Sequence, residues 1–174
     1  MTEPRKHAVL RAILILPGSA LVVVPALILW SSAGTVYAGA LASAAGPVFW
    51  LALVLVAVGL WLMARTIAMF ASVGKGTLAP WQPTQRLVVT GVYRHVRNPM
   101  ISGVFAALLG ETLLAQSLPL AAWAALFAAA NLVYIPLFEE PGLARRFGDD
   151  YRAYKANVPR WLPRLTPWKG IDEG

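Results

Sequence analysis

Cysteine is missing from this chain and charge is scarce. Without cysteine there is no disulfide framework, no thiolate metal site and no cysteine nucleophile. Two histidines occur, His7 and His95, far apart in the sequence; that argues against a histidine-built metal centre, and no metal is expected. Charged residues make up 13% of the 174, about half the roughly 25% of a soluble domain. In their place 58% of residues are hydrophobic, and the mean hydropathy is +0.62. That balance points to an integral membrane protein, and the length fits one folded unit. The net charge is +7, from 15 Lys and Arg against 8 Asp and Glu. No basic helix face interleaved with aromatics accompanies it, so no nucleic-acid partner is expected.

What the chain holds is apolar runs. Arg5, Lys6 and Arg11 lead into a run from Ala12 to Trp30, too long for a signal-peptide core of 7–15 residues and interrupted by Pro17 and Pro25. A retained first transmembrane helix is expected, its prolines being packing kinks. Residues 31–46 are small and uncharged and read as a loop. A second run, Pro47 to Ala71, is about 25 residues, enough to span with some tilt. A polar connection over 72–98 follows, broken by Gly74, Gly76, Pro80 and Pro83. Pro99–Ala115 and Leu118–Phe138 then form a short-turn antiparallel hairpin about Gln116 and Ser117. Beyond Phe138, Leu143, Phe147, Tyr151 and Tyr154 recur at spacings of four, four and three, which places them on one face of a surface helix. The tail is rich in proline and tryptophan and reads as an ordered loop covering something as far as Trp168.

The expected fold is therefore an all-α integral membrane protein. It has four transmembrane helices, five if residues 31–46 also cross, and a C-terminal interfacial helix. Residues 1–71 supply two spans; residues 72–174 form the catalytic region. With four spans, all 15 Lys and Arg fall at one side or its edge, and the opposite loops have none. By the positive-inside rule that side is the cytoplasm, and both termini lie there. The expected location is a cell membrane, the inner membrane of a bacterium.

The 72–98 connection ends in Tyr93–Arg94–His95–Val96–Arg97–Asn98–Pro99. Its arginines suit a carboxylate or phosphate, or equally anionic lipid headgroups. Asn98–Pro99 at a helix start offers free N–H groups to a ligand. Glu139 and Glu140 sit at the same face, either as helix-dipole partners or as acceptors for the hydroxyls of a nucleotide-like cofactor. Glu111 lies three turns inside the third run, where a charge is expensive and suggests function; a polar clasp with Asn131 on the next helix is the preferred reading.

Thr90–Gly91–Val92–Tyr93–Arg94–His95–Val96–Arg97–Asn98–Pro99 resembles the Gly-x-Tyr-x-x-x-Arg-His-Pro signature of the isoprenylcysteine carboxyl methyltransferase and phospholipid methyltransferase superfamily. Glu139–Glu140, Leu143, Phe147–Gly148, Tyr151, Tyr154 and Val158–Pro159 resemble its C-terminal block, in the same order and spacing. The two blocks cover roughly residues 76–165. The resemblance implies S-adenosylmethionine as methyl donor. It carries cofactor binding over to Gln85, Arg86, Leu87, Val88, Tyr93, Asn98, Pro99, Met100, Ile101 and Glu139. Arg97 and Glu140 are placed with the reacting groups, Glu140 as the base an amine acceptor requires. The chain departs from the pattern at Asn98, where the family has histidine, and at Ile101, often tyrosine. It departs again at Ile135, which replaces an arginine that the prenylcysteine enzymes use toward substrate.

The expected partners are membrane lipids and a lipophilic acceptor, an isoprenoid, lipid or other hydrophobic molecule, reaching the site sideways between helices. Two other readings stand beside this one: an NADPH-dependent membrane reductase of the sterol-reductase type, and a non-enzymatic membrane protein. The Gly- and Ala-rich spans suit packing within or between chains, so the oligomeric state stays open.

Overall fold

The computed structural model describes Ile15 and residues 17–73 and 86–170. Arg5, Lys6, Arg11, Gly74, Gly76, Pro80, Pro83 and Gln85 lie outside the described residues. Among those described, every regular element is helical. A π turn, Ser19–Val23, leads into α1, Val24–Ser32; the Val24 N–H bonds back to the Ser19 carbonyl just ahead of Pro25, which has no N–H to offer. Helix α2 is Pro47–Ser72, α3 is Pro99–Ala115 and α4 is Leu118–Tyr134. Each starts on or beside a proline, where the missing N–H is not needed. The turn between α3 and α4 is made by Gln116 in the left-handed region (φ 45°) and by Ser117, whose hydroxyl caps α4 by accepting from the Leu120 N–H at 3.4 Å.

The expected break after Phe138 does not occur. A second π turn, Ile135–Glu139, carries α4 straight into α5, Glu140–Asn157, with no break at Phe138. Pro136 lies inside that turn, and a widened helix is how the ladder absorbs a residue without an N–H. The bend comes later, at Gly148 (φ 55°, ψ −129°), a conformation open to glycine alone at little cost.

Among the described residues two helices are long and apolar enough to cross a membrane: α2, with 26 residues, and the α4–α5 helix, whose apolar stretch ends at Phe138. The first and third of the four expected spans are shorter, Ser19–Ser32 and Pro99–Ala115; at 1.5 Å per residue the latter reaches roughly 25 Å. A fifth crossing over 31–46 is not formed, since no helix lies between Ser32 and Pro47. That segment folds onto the α3–α4 turn instead, with the Ala42 N–H donating to the Leu114 carbonyl at 2.8 Å.

The most extensive helix contact joins α2 to α3 rather than the hairpin partners. Small residues make it possible. A Cβ on Gly59 would stand 2.5 Å from the Gly103 carbonyl, and one on Gly110 would stand 2.7 Å from that of Ala52. Backbones this close gain dispersion contact that lipid tails cannot supply. Ala107 and Leu108 complete the seam, joined by Met63, Val104 and Ala124 in the main core. The bundle thus has two unlike ends. Residues 33–46 and the α3–α4 turn share one, while the 93–98 turn, α5 and the tail share the other.

Candidate active site

At the second end, Gly91 takes φ 53° and opens a short 3₁₀ turn, Gly91–Arg94. The turn drives Tyr93 inward until it is buried, its ring stacked on Phe70 with centroids 5.6 Å apart. The Tyr154 hydroxyl donates to the Tyr93 carbonyl at 2.8 Å, which ties the turn to α5. Burial pushes the Tyr93 phenol well above the usual tyrosine range, and Tyr154 is pushed up for the same reason.

The basic cluster faces the chain's own tail. Backbone N–H groups of Arg97, Arg164 and Trp168 donate to the carbonyls of Pro159, His95 and Arg94 at 2.9, 3.0 and 2.9 Å. His95 Nδ1 donates to the Arg164 carbonyl at 2.8 Å, and Arg94 Nε to that of Trp168. Arg97 Nε donates to the Val158 carbonyl at 2.9 Å. The donors expected to meet an oxyanion or lipid headgroups therefore hold residues 158–168 in place as a strap. The tail is ordered as expected, and the 93–98 turn is what it covers.

Glu140 gathers three cations. Its Oε1 lies 2.8 Å from an Arg97 terminal nitrogen and 2.7 Å from Arg160 Nε; its Oε2 lies 2.8 Å from Lys155 Nζ. The side chain is 3% exposed and that of Arg97 8%. Arg97 also donates to the Tyr151 hydroxyl at 3.3 Å. Burial alone would raise the Glu140 carboxyl, but the hydrogen bond from Arg160, the ion pair with Lys155 and the charges of Arg97 and Arg160 overcome it and bring it down to about 2. A carboxylate so held has little tendency to take up a proton.

Glu139, one residue earlier, is in the opposite situation. Its side chain is open to a cavity and has no hydrogen bond or ion pair among the described residues. Loss of water, and then the charge of Glu140, raise its pKa above the usual 4.5.

The cavity has a volume of about 570 Å³. Leu87, Val88, Tyr93, Arg97, Asn98, Met100, Ile101, Glu139 and Glu140 all line it, so the two sequence blocks meet in one wall. Pro99 is buried behind the wall and Arg86 is exposed away from it. Gln85 lies outside the described residues. Sequence reasoning missed Phe70, Phe127, Asn131 and the Ser19–Ala20 edge, which continue the lining into the bundle. It also missed Arg160, whose proline-rich context carries no signal for an ion pair. The clasp expected between Glu111 and Asn131 is not formed: Asn131 bonds the Phe127 carbonyl of its own helix at 2.8 Å, and Glu111 Oε2 is buried without a partner. The antiparallel hairpin explains this, because Glu111 stands five residues before the α3–α4 turn while Asn131 stands more than a dozen after it. Among the described residues no cluster suited to a metal occurs.

A model of the phospholipid methyltransferase family matches residues 47–150, from the start of α2 into α5. The chain belongs to this family. Phosphatidylethanolamine N-methyltransferase of Zygosaccharomyces rouxii is 30% identical over 100 residues, which is 55% of this chain and 11% of that protein. Phosphatidylethanolamine N-methyltransferase 1 of Vanderwaltozyma polyspora is 28% identical over 94 residues, 52% of this chain and again 11% of the relative. The chain thus matches about a tenth of the length of either relative. Membership ties the Tyr93 turn and Glu139–Glu140 to one family, while Lys155, Arg160 and the strap lie beyond the matched residues.

Proposed function

We propose that the protein is a membrane methyltransferase, moving a methyl group from S-adenosylmethionine to a lipophilic acceptor at the cytoplasmic membrane face. The observation that carries this reading is a cavity in which the turn block and Glu139 share a wall whose lining continues into apolar helices. A polar donor and an apolar acceptor are what such a two-natured cavity suits.

The residues present fit the donor. About 570 Å³ lies within the roughly 300–1,000 Å³ of small-molecule sites. Glu139 is an unpaired acceptor suited to ribose hydroxyls, with Tyr93, Leu87 and Val88 as apolar surface and Asn98 as a polar side chain beside it. When bound, S-adenosylmethionine would supply a sulfonium-activated methyl group that passes to the acceptor's lone pair while the C–S electron pair stays on a neutral thioether, and an amine acceptor would have to enter already deprotonated. The chain contributes position and exclusion of water. Arg97, bonded to Glu140, Tyr151 and the Val158 carbonyl, would brace the turn beside the bound donor.

For the acceptor, the relatives' names favour an amine-headed phospholipid. Ile135 supports this: it lines the cavity at 1% exposure where the prenylcysteine enzymes carry arginine, so no cation waits there for a carboxylate.

Purified protein titrated with labelled S-adenosylmethionine and, separately, with NADPH tests the donor. Labelled-methyl transfer on membranes, followed by lipid extraction, identifies the acceptor. NADPH affinity without S-adenosylmethionine affinity points to the reductase reading. Wild-type cellular activity in both Glu139→Ala and Tyr93→Phe points to a non-enzymatic role. Because the chain has no cysteine, a single Lys169→Cys variant labelled in sealed vesicles reports which side the tail occupies.

A further inference from the structure

We propose that Arg160, on the C-terminal strap, is a positioning residue of this site. By clamping Glu140 it sets the register at which the 93–98 turn and the start of α5 present Asn98 and Glu139 to one cavity. The proposal rests on the methyltransferase reading above and goes beyond it, because the family match ends at residue 150.

Three separate pieces of chain meet at one carboxylate. Arg97 reaches Glu140 Oε1 from the turn at 2.8 Å, Arg160 reaches the same oxygen from the strap at 2.7 Å, and Lys155 reaches Oε2 at 2.8 Å from the part of α5 beyond the Gly148 bend. Glu140 is the residue after Glu139, so whatever fixes one backbone fixes the other. Arg160 works in two directions at once: its guanidinium holds Glu140, and its carbonyl accepts from Asn98 Nδ2 at 3.5 Å. The flanking backbone bond, Arg97 N–H to the Pro159 carbonyl at 2.9 Å, leaves the strap little freedom to slide. Arg160 is 28% exposed and Glu140 3%, so this pair is largely shielded, unlike Arg152–Asp149 on the surface at 70% and 93%. An arginine pointing into a buried acidic group from a strap is held there by geometry that a lysine reproduces only in charge.

The test uses the full chain in nanodiscs, measuring methyl transfer and binding of labelled S-adenosylmethionine. Arg160→Gln is expected to raise KM for the donor about tenfold with kcat within about threefold, the signature of a misplaced binding wall. Arg160→Lys is expected in between, raised about threefold. Arg152→Gln, at the surface pair, keeps wild-type values. Hydrogen exchange of amides 93–98 needs no donor and is expected to quicken in Arg160→Gln. Unchanged KM and unchanged exchange in Arg160→Gln overturn the proposal; where Arg160→Gln does not fold, the same null result in Arg160→Lys does so. A wild-type protein that neither binds nor transfers refutes the methyltransferase reading instead, and the exchange measurement still reports on the strap.

Discussion

Replacing Glu140 by Gln keeps the side chain's shape and removes its charge. Arg97, 8% exposed, then faces a neutral amide. The carboxyl is brought from its ordinary 4.5 to about 2 in the folded protein, and at 1.36 kcal/mol per pKa unit that is at most about 3.4 kcal/mol of stability. Two of the three partners are reached by water, Lys155 at 49% and Arg160 at 28% exposure, so about 2 kcal/mol is the working figure. For a chain of this length that lowers Tm by roughly 4–8 °C. Because the folded pKa is depressed, the stability is fully present above about 4.5 and is lost as pH falls toward about 2. Thermal melting of purified protein from pH 7 down to 3 reads both effects. The wild type loses Tm across the acid range, whereas Glu140→Gln starts lower and loses less. Equal Tm values at pH 7, or identical acid slopes, would refute the assignment of Glu140 as the clasp of this end of the molecule.

Four further outcomes follow from other parts of the structure. Gly59→Ala forces a methyl against the Gly103 carbonyl at 2.5 Å and is expected to cost about 1–3 kcal/mol in thermal or denaturant melting. Gly142→Ala meets nothing within 4 Å and should not destabilise. Tyr154→Phe removes the 2.8 Å bond to the Tyr93 carbonyl, with an expected loss of about 1 kcal/mol and weaker donor binding by titration. Glu139 accepts from hydroxyls best while ionised, and its pKa is raised; donor affinity should therefore fall as pH drops through a midpoint above 4.5, and Glu139→Gln should bind weakly without that acid limb.

Much of the site could be read in the linear chain, for a physical reason. The close spacing within each block, Gly91 to Pro99 and Glu139 to Tyr154, reflects local geometry: a glycine at positive φ, a 3₁₀ turn, a helix face. Local geometry leaves residue-level marks. The meaning of the arginines could not be read that way. A guanidinium is as suited to a phosphate as to a backbone carbonyl, and the partners of Arg94 and Arg97 stand more than 60 positions away on a tail with no periodicity. Glu139 and Glu140 look alike in sequence, yet one opens on the cavity and the other is enclosed by three cations.

Hydrophobicity and the placement of the basic residues were enough to expect an all-helical chain with long apolar helices and its polar chemistry gathered at one end. Those properties follow from composition and chain order, because a bilayer sorts apolar from charged residues whatever the packing. Packing decided the rest. Close backbone approach at Gly59, Gly103 and Gly110 paired α2 with α3, and the π turn around Pro136 ran two expected helices into one. The strap became a partner of the basic turn. Each of these depends on which surfaces meet in three dimensions, and distance along the chain holds no record of that.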